Sequence, residues 1–218
     1  MSRSPSGRRI FFREFLRNFE TTGAVAPSGK RLAAALARYV GETPGPKRVL
    51  EVGPGTGAVT SAILPRLHQE DQFDLVELND AFVDHLRRRF ESDPAYLPAA
   101  SRSRVIHLPV QELPQEPTYQ VIVSGLPLNN FPADVVQRIL QSFTRLLMPG
   151  GTLSFFEYMA VRPARSVVSG RGERQRLREV GQALGQVLNG HEIHRDGVWL
   201  NFPPAWVHHV RFGELPGG

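Results

Sequence analysis

The feature that most constrains the fold is a glycine-rich turn that follows an apolar run. Residues 50–57 read LEVGPGTG, so that Gly53, Gly55 and Gly57 come directly after the run RVLEV. Glycine tolerates backbone conformations that other residues avoid, and it lets the backbone approach a ligand closely. A buried strand that ends in such a turn and continues into a helix is typical of nucleotide-binding α/β folds.

The rest of the chain continues the alternation of strand and helix. Apolar runs predict strands at residues 48–52, 73–77, 104–108, 119–124 and 152–158. Helices are predicted from about residue 59, at 80–90 and at 132–147, the last with Pro132 in its first position. A helix around 173–188 and two further strands at 191–200 and 205–212 complete the pattern. Strands separated by helices predict a Rossmann-like α/β fold whose seven-stranded sheet is mostly parallel and ends in an antiparallel strand pair.

Two amphipathic helices are predicted before the sheet, at residues 8–19 and 28–40. The second is alanine-rich and begins after the capping residue Ser28. The turn-forming linker GETPGP follows at residues 41–46. This pattern predicts an N-terminal segment over residues 1–45 and a main domain over residues 46–213.

Composition excludes several classes of protein. The 218-residue chain has no apolar run of 18 residues, which argues against a spanning helix, and its charged N-terminus does not resemble a secretory signal. The absence of cysteine removes disulfides and thiolate metal sites, fits a reducing cytoplasm, and we predict no metal site. A net charge of +5 indicates a polyanionic partner, either nucleic acid or an anionic membrane, although an arginine-rich composition without functional meaning explains it equally well.

The spacing of the glycines and of nearby acids narrows the choice of cofactor. Dinucleotide folds use G-x-G-x-x-G, whereas here the third glycine comes one residue early and Glu51 precedes the first. The phrase E-x-G-x-G-x-G resembles motif I of class I S-adenosylmethionine-dependent methyltransferases. Glu77, at the end of the second predicted strand, is placed to accept hydrogen bonds from both ribose hydroxyls. The resemblance implies S-adenosylmethionine as cofactor, S-adenosylhomocysteine as product, and the cofactor-binding residues Glu51, Gly53, Gly55, Thr56, Gly57, Glu77, Leu78, Gln111, Glu112, Ser124 and Gly125.

The residues after the fourth strand indicate the acceptor. Enzymes of this class that methylate base nitrogens often carry [ND]-x-P-[YF] here, whereas this chain has SGLPL, with Ser124 for the amide or acid and Leu128 for the aromatic ring. Loss of a base-stacking ring costs about 1–3 kcal/mol. The motif therefore predicts a smaller, non-planar amine, with a catalytic site formed by Ser124, Leu126 and Tyr158.

Three separated phrases resemble one family over almost the whole chain. SGLPLNNF, FLRNFETTGAVAPSGKRLAAAL and NFPPAWVHHVR together are similar to the bacterial phospholipid N-methyltransferases. The resemblance implies conversion of phosphatidylethanolamine, through its mono- and dimethyl forms, to phosphatidylcholine. It also implies a cytoplasmic enzyme that associates peripherally with the inner face of the cell membrane, and no nucleic-acid partner; it leaves the oligomeric state and the number of methylation steps open.

The first predicted helix combines an apolar stripe with a basic side. An interfacial helix needs both, because the rings enter the acyl boundary while the cations meet lipid phosphates. The alternative is a terminal helix that packs its stripe on the sheet. The predicted lipid-binding residues are Arg8, Arg9, Phe11, Phe12, Arg13, Phe15, Arg17 and Phe19. A second arginine-rich stretch at residues 162–178 either binds lipid phosphate or is a solvated loop.

The predicted reaction requires a neutral amine aligned with a methyl donor. The Leu126 carbonyl and the Ser124 hydroxyl are candidates to accept its N–H bonds, and the Tyr158 ring to contact the methylated cation, with Phe131 and Trp199 as weaker candidates. The sequence offers no convincing general base, since His107, His191, His208 and His209 lie in predicted strands. Three alternatives stay open: a ribosomal RNA adenine N6-dimethyltransferase, a small-molecule amine methyltransferase, and a non-catalytic membrane-surface protein that retains the cofactor fold.

Overall fold

The computed structural model describes residues 29–159, 171–201 and 203–213. The predicted lipid-binding residues Arg8 to Phe19, the predicted cap Ser28, and Arg162 and Arg165 lie outside these ranges. Within them, no helix is long and apolar enough to cross a membrane.

A seven-stranded sheet forms the centre of the fold. Its strands are β1 (Arg48–Val52), β2 (Gln72–Val76), β3 (Ser103–Ile106), β4 (Tyr119–Ser124), β5 (Leu147–Tyr158), β6 (Glu192–Val198) and β7 (Ala205–Arg211). They lie in the order β3-β2-β1-β4-β5-β7-β6. The five strands from β3 to β5 pair in parallel, whereas β7 is antiparallel to both β5 and β6. The carboxyl ends of β1, β2 and β4 therefore meet at one edge of the sheet, next to the point where β7 begins.

Helices cover both faces of this sheet. They are α1 (Lys30–Leu36), α2 (Arg38–Glu42), α3 (Thr60–Ile63), α4 (Asp80–Ser92), α5 (Ala133–Leu146) and α6 (Arg171–Leu188). Helices α5 and α6 bury apolar residues against one face, and α1 to α4 against the other. Because side chains alternate along a strand, Leu50 and Val52 of β1 face α5 while Val49 and Glu51 face the opposite layer.

An ionic cluster around one buried carboxylate joins the central strands. Asp74 of β2 accepts hydrogen bonds from the guanidinium of Arg104 at 2.7 and 2.8 Å, from Arg48 at 3.1 Å and from the Tyr119 hydroxyl at 2.9 Å. Burial alone would raise the pKa of Asp74, but the bonds from Arg104 and Tyr119 hold it below its ordinary value. The cluster thus joins β1, β2, β3 and β4 through one carboxylate.

The predicted fold class is confirmed, with corrections at the ends of elements. The predicted helix at 28–40 is two short helices, and the residue before its first turn is Gly29. Pro132 precedes α5 and is not its first residue. Strand β5 begins at Leu147, five residues before the prediction, because Leu147 pairs with Tyr119 ahead of an irregularity in the β4–β5 register. The part of the N-terminal segment that the structure describes packs through Leu32 and Leu36 into the core beneath the sheet.

Candidate active site

The glycine turn follows β1 and packs against the turn that follows β4. Gly53, Gly55 and Gly57 have φ angles of 71°, 56° and 83°, in the left-handed region that favours glycine. The turn is also closely packed, since a Cβ on Gly53 would collide with the Leu126 side chain. A Cβ on Gly125 would lie 2.6 Å from the Gly53 carbonyl oxygen. The two turns therefore meet backbone to backbone, and only glycine fits at either contact.

Tyr96 supports this turn from below, a role that the sequence did not predict. Its hydroxyl donates to the Gly57 carbonyl at 3.1 Å and receives a bond from Arg89 at 2.6 Å. The hydroxyl also lies 3.0 Å from the Ser61 Oγ. The contact between Tyr96 and Gly57 spans 39 residues, so no local pattern could reveal it.

Glu51 lies beneath the turn and is completely buried. Its Oε2 accepts a hydrogen bond from the Thr60 hydroxyl at 2.7 Å, while its Oε1 has no hydrogen-bond partner among the described residues. Burial raises the pKa of Glu51 to about 8, a shift that the Thr60 bond opposes and the charge of Glu77 increases. Glu51 does not line the cleft described below, so the structure places it as a support for the turn and for Thr60.

Glu77 occupies the predicted position at the carboxyl end of β2. Its Oε1 accepts bonds from the backbone N–H groups of Leu78 at 2.7 Å and Asn79 at 2.9 Å. Its Oε2 accepts from Gly55 N–H at 3.0 Å, which links the second strand to the glycine turn. Burial raises the pKa of Glu77, and these three backbone bonds oppose the shift. Each carboxylate oxygen has two lone pairs, so Oε2 keeps one for a ligand.

A cleft opens beside Glu77 at the carboxyl edge of the sheet. Its walls are mostly apolar, and Gly53, Leu78 and Gln111 complete the lining. Glu112, also predicted to bind the cofactor, is exposed and outside this lining, as is Thr56 on the outer side of the turn. The apolar lining residues are Val52, Val76, Leu108, Pro109, Val110, Leu126 and Ile139.

The turn after β4 folds inward. The Ser124 hydroxyl is buried and accepts a bond from Leu126 N–H at 3.3 Å. The Leu126 carbonyl accepts from Leu128 N–H at 2.9 Å, so each of the two predicted amine acceptors already holds one hydrogen bond. Leu128 is completely buried in the core and opens a short 3₁₀ helix, Leu128–Asn130. The side chain at the position of the base-stacking ring is thus part of the core.

Asn129, in the same 3₁₀ helix, is a polar side chain that the sequence did not single out. It is completely buried, and its amide donates to the Tyr158 carbonyl at 3.4 Å. Its Oδ1 has no hydrogen-bond partner among the described residues. Arg176 of α6 donates to the Phe131 carbonyl at 2.7 Å and to the Asn129 carbonyl at 3.4 Å. Helix α6 therefore fixes the backbone of this turn.

The predicted aromatic residues lie in three different environments. Tyr158 ends β5 and is buried, and burial raises the pKa of its hydroxyl. Phe131 is buried in the core on the α5 side. Trp199 is 66% exposed and packs edge-on against Trp206 at a centroid distance of 5.6 Å. Phe131 belongs to the turn after β4 itself, and Tyr158 is joined to that turn through Asn129.

Comparison with known proteins gives the chemistry of this fold. Residues 49–151 match a family described as a methyltransferase domain. The chain is 26% identical over 145 residues to the ornithine lipid N-methyltransferase of Singulisphaera acidiphila, across 66% of this chain and 74% of that protein. It is 39% identical over 82 residues to the ribosomal RNA small subunit methyltransferase A of Parasynechococcus marenigrum, across 38% of this chain and 26% of that protein. The O-methyltransferase of Bacillus cereus, solved in complex with SAH, superposes with a TM-score of 0.60 at 14% identity, over 92% of this chain and 90% of that one.

The fold is therefore a Rossmann-like methyltransferase fold in which residues 49–151 match a methyltransferase domain, and S-adenosylmethionine is its cofactor. The residues at the cleft fit that group. The apolar walls suit a flat base, Glu77 offers a carboxylate for ribose hydroxyls, and Gly53 contributes backbone to the same lining. Gln111 adds an amide to the same lining, a group whose chemistry suits the polar edge of a base.

Proposed function

We propose that this methyltransferase transfers methyl groups to the amine of a phospholipid, converting phosphatidylethanolamine through its mono- and dimethyl forms toward phosphatidylcholine. The observation that carries the proposal is the turn after β4, where the acceptor is expected. It contains oxygen atoms of Ser124, Leu126 and Asn129, of which Leu126 lines the cleft and the other two are buried behind it, and none of its described residues exposes an aromatic ring.

The missing ring argues against a planar acceptor. Leu128 stands at the stacking position and is buried in the core, and Phe131, three residues on, is buried as well. Stacking contributes about 1–3 kcal/mol per base to nucleic-acid binding. A base would gain none of this from the turn, whereas a small primary amine needs only acceptors for its N–H groups.

The chain's own residues provide binding and orientation. When bound, S-adenosylmethionine supplies a methyl group on a sulfonium centre, ready for in-line displacement. The Leu126 carbonyl and the Ser124 hydroxyl each keep a lone pair for an amine N–H, and the Asn129 Oδ1 has both. Tyr158 stays a neutral phenol at physiological pH, since burial raises its pKa, and its ring can contact a methylated cation without introducing a charge.

Two relatives align with this chain over very different shares of their own length. The relative that aligns over 74% of its own length carries the name of a lipid N-methyltransferase, which supports a lipid amine. The relative named for ribosomal RNA aligns over 26% of its length, which supports a shared cofactor region. A lipid acceptor would place the enzyme at the inner face of the cell membrane, in keeping with its charge of +5.

A methyl-transfer assay with four acceptors tests this proposal. The full-length protein is incubated with S-adenosylmethionine labelled in the methyl group and with vesicles of phosphatidylethanolamine, vesicles of ornithine lipid, small-subunit ribosomal RNA, or ethanolamine. We expect label in mono- and dimethylated phosphatidylethanolamine. Label confined to RNA, to ornithine lipid or to ethanolamine would overturn the proposed acceptor.

Two glutamate variants test the role of Glu77, one at Glu77 itself and one as its control. Glu77→Gln removes the buried carboxylate at the cleft, and we expect at least about a tenfold loss of kcat/KM because a group that orients the cofactor is gone. Glu70→Gln alters an exposed carboxylate of the same type, and activity should stay within about twofold of the parent. Equal activity of the two variants would contradict the role of Glu77.

A further inference from the structure

The turn between β6 and β7 exposes two large apolar side chains side by side. Trp199 is 66% exposed and Leu200 is 75% exposed, the highest values among the large apolar residues that the structure describes. Single exposed apolar residues are common on protein surfaces, whereas adjacent ones at the tip of a hairpin mark an interaction site. Trp199 and Leu200 together form the hairpin tip.

The hairpin tip is held firmly by the residues around it. Val198 and Ala205, which flank the turn, are buried. Asn201 donates to the Pro203 carbonyl at 2.7 Å and accepts from Gly29 N–H at 3.1 Å. These contacts fix the backbone of the turn, so the two apolar side chains project outward from an anchored base.

The hairpin tip lies at the edge of the sheet where the acceptor is proposed to bind. Ala205, at the start of β7, pairs with Tyr158, at the carboxyl end of β5. Met159 N–H donates to the Pro204 carbonyl at 2.8 Å, and the Tyr158 carbonyl accepts a bond from Asn129. A continuous set of strand pairing and hydrogen bonds, including that of the Asn129 side-chain amide, therefore links the hairpin tip to the turn that is proposed to hold the amine.

Cations border the hairpin tip. Residues 197–206, GVWLNFPPAW, contain no charged side chain. Arg195 lies over the Trp206 ring at 4.6 Å. Lys30 and Arg31 are exposed at the start of α1, directly after the Gly29 that is bonded to Asn201. An apolar tip with tryptophan, with lysine and arginine on neighbouring elements, matches the boundary of a bilayer, where indole rings lie among headgroups and cations meet phosphates.

We propose that the hairpin tip inserts into the headgroup region of an anionic phospholipid bilayer and so positions the acceptor edge against the lipid surface. The use of such an insertion rests on the proposed function, since an enzyme that methylates a lipid amine at the bilayer surface must reach that amine without extracting the whole lipid. The charges favour a bilayer over a second copy of this chain, because each copy would present the same cations to the other.

Vesicle binding by a tip variant tests the proposal. The tip variant is the full chain with both Trp199→Ser and Leu200→Ser. It is compared with the parent and with Leu97→Ser, which alters an apolar residue that is 48% exposed in a different part of the surface. The vesicles contain phosphatidylethanolamine and phosphatidylglycerol. We expect sedimentation with vesicles to weaken by roughly tenfold or more in the tip variant, and to change less than about twofold in the control. Binding of the tip variant equal to that of the parent would overturn the proposal.

Tryptophan fluorescence locates the inserted side chain. In Trp206→Phe, Trp199 is the remaining tryptophan of the chain, and brominated lipids should quench its emission. Without vesicles, acrylamide should quench it strongly. Weak acrylamide quenching at all protein concentrations would mean that another segment of the chain covers the tip, and quenching that weakens with concentration would mean that a second copy does; either result overturns the proposal.

The acceptor assay separates this inference from the proposed function. With phosphatidylethanolamine in vesicles, the tip variant should show a raised KM, whereas with a short-chain, monomeric phosphatidylethanolamine its kcat/KM should equal the parent's. If the parent methylates no lipid, the proposed function fails while the sedimentation and quenching results still decide whether the tip binds a bilayer. Equal losses on monomeric and vesicular substrate would overturn the proposal and assign Trp199 and Leu200 to the acceptor site instead.

Discussion

Gly57 illustrates how one residue of the glycine turn combines two constraints. Its φ angle of 83° disfavours any side chain, and a Cβ there would lie 2.6 Å from the Tyr96 hydroxyl and 3.1 Å from the Arg89 guanidinium. Gly45 has a comparable φ of 71°, but a Cβ at that position would meet no atom within 4 Å. A substitution at Gly45 therefore measures the free-energy cost of the backbone conformation alone. The two positions therefore form a matched pair.

We predict that Gly57→Ala destabilises the protein more than Gly45→Ala does. The backbone term alone costs about 1–2 kcal/mol, and displacement of the Tyr96 bonds should add a similar amount at Gly57. Urea unfolding of the two variants measures the difference, and cofactor binding should weaken only in Gly57→Ala. Equal unfolding midpoints would show that Tyr96 adjusts to the methyl group without loss.

At the residue scale, the sequence predicted the groups that follow a fixed spacing. The glycines and Glu77 were predictable because their positions after a strand are set by the chain itself. Tyr96 and Asn129 were not, because their roles depend on contacts across 39 and 29 residues. Glu51 was predicted as a cofactor ligand, and its burial beneath the turn became visible only when β1 and α3 were packed together.

At the scale of elements, the central strands were predicted better than their surroundings. β1 and β4 match the prediction at both ends, since each is a short, apolar run bounded by turn residues. The start of β5 was missed because MPGG looks like a turn, and only the pairing of Leu147 with Tyr119 makes it part of the sheet. The division of α1 from α2 at Ala37 has no breaker in the sequence RLAAALARYV to reveal it.

Helix α6 provides an element-scale prediction about the active site. Arg176 joins this helix to the turn after β4 through the carbonyls of Phe131 and Asn129, whereas Arg178, two residues on, is exposed. We predict that Arg176→Ala lowers kcat for methyl transfer by about tenfold, because a turn that positions the acceptor loses its support. The affinity for S-adenosylmethionine should change little, since Arg176 does not line the cofactor cleft.

Arg178→Ala is the matched control for charge and helix propensity. It should leave kcat within about twofold of the parent. Steady-state kinetics with the acceptor varied and calorimetric titration of the cofactor separate the two effects. A loss of cofactor affinity in Arg176→Ala, with kcat unchanged, would show that α6 acts on the cleft and not on the acceptor turn.

At the scale of the whole molecule, two buried groups oppose each other in the dependence of stability on pH. Burial lowers the pKa of His209 to about 4, although Asp196 raises it, so between pH 4 and the ordinary value of 6.5 the unfolded chain binds a proton that the folded one does not. Stability due to His209 therefore rises with pH in that window. Glu51, whose pKa is raised from 4.5 to about 8, holds a proton only in the folded state between those values, so its contribution falls as pH rises.

We predict from these signs a stability profile that falls more steeply above pH 6.5, where Glu51 and Glu77 act without opposition from His209, than between about pH 4.5 and 6.5, where His209 opposes them. Between pH 6.5 and 8, Glu51 lowers the free energy of unfolding by roughly 2 kcal/mol. The raised pKa of Glu77 works in the same direction, and His209 no longer opposes either group. Glu51→Gln should abolish most of this fall and should expose the opposite slope of His209 between about pH 4.5 and 6.5. Glu70→Gln, at an exposed carboxylate, should keep the parent's profile. Urea unfolding of the cofactor-free proteins across this range measures all three, and identical profiles for Glu51→Gln and the parent would mean that Glu51 is ionised in the folded state despite its burial.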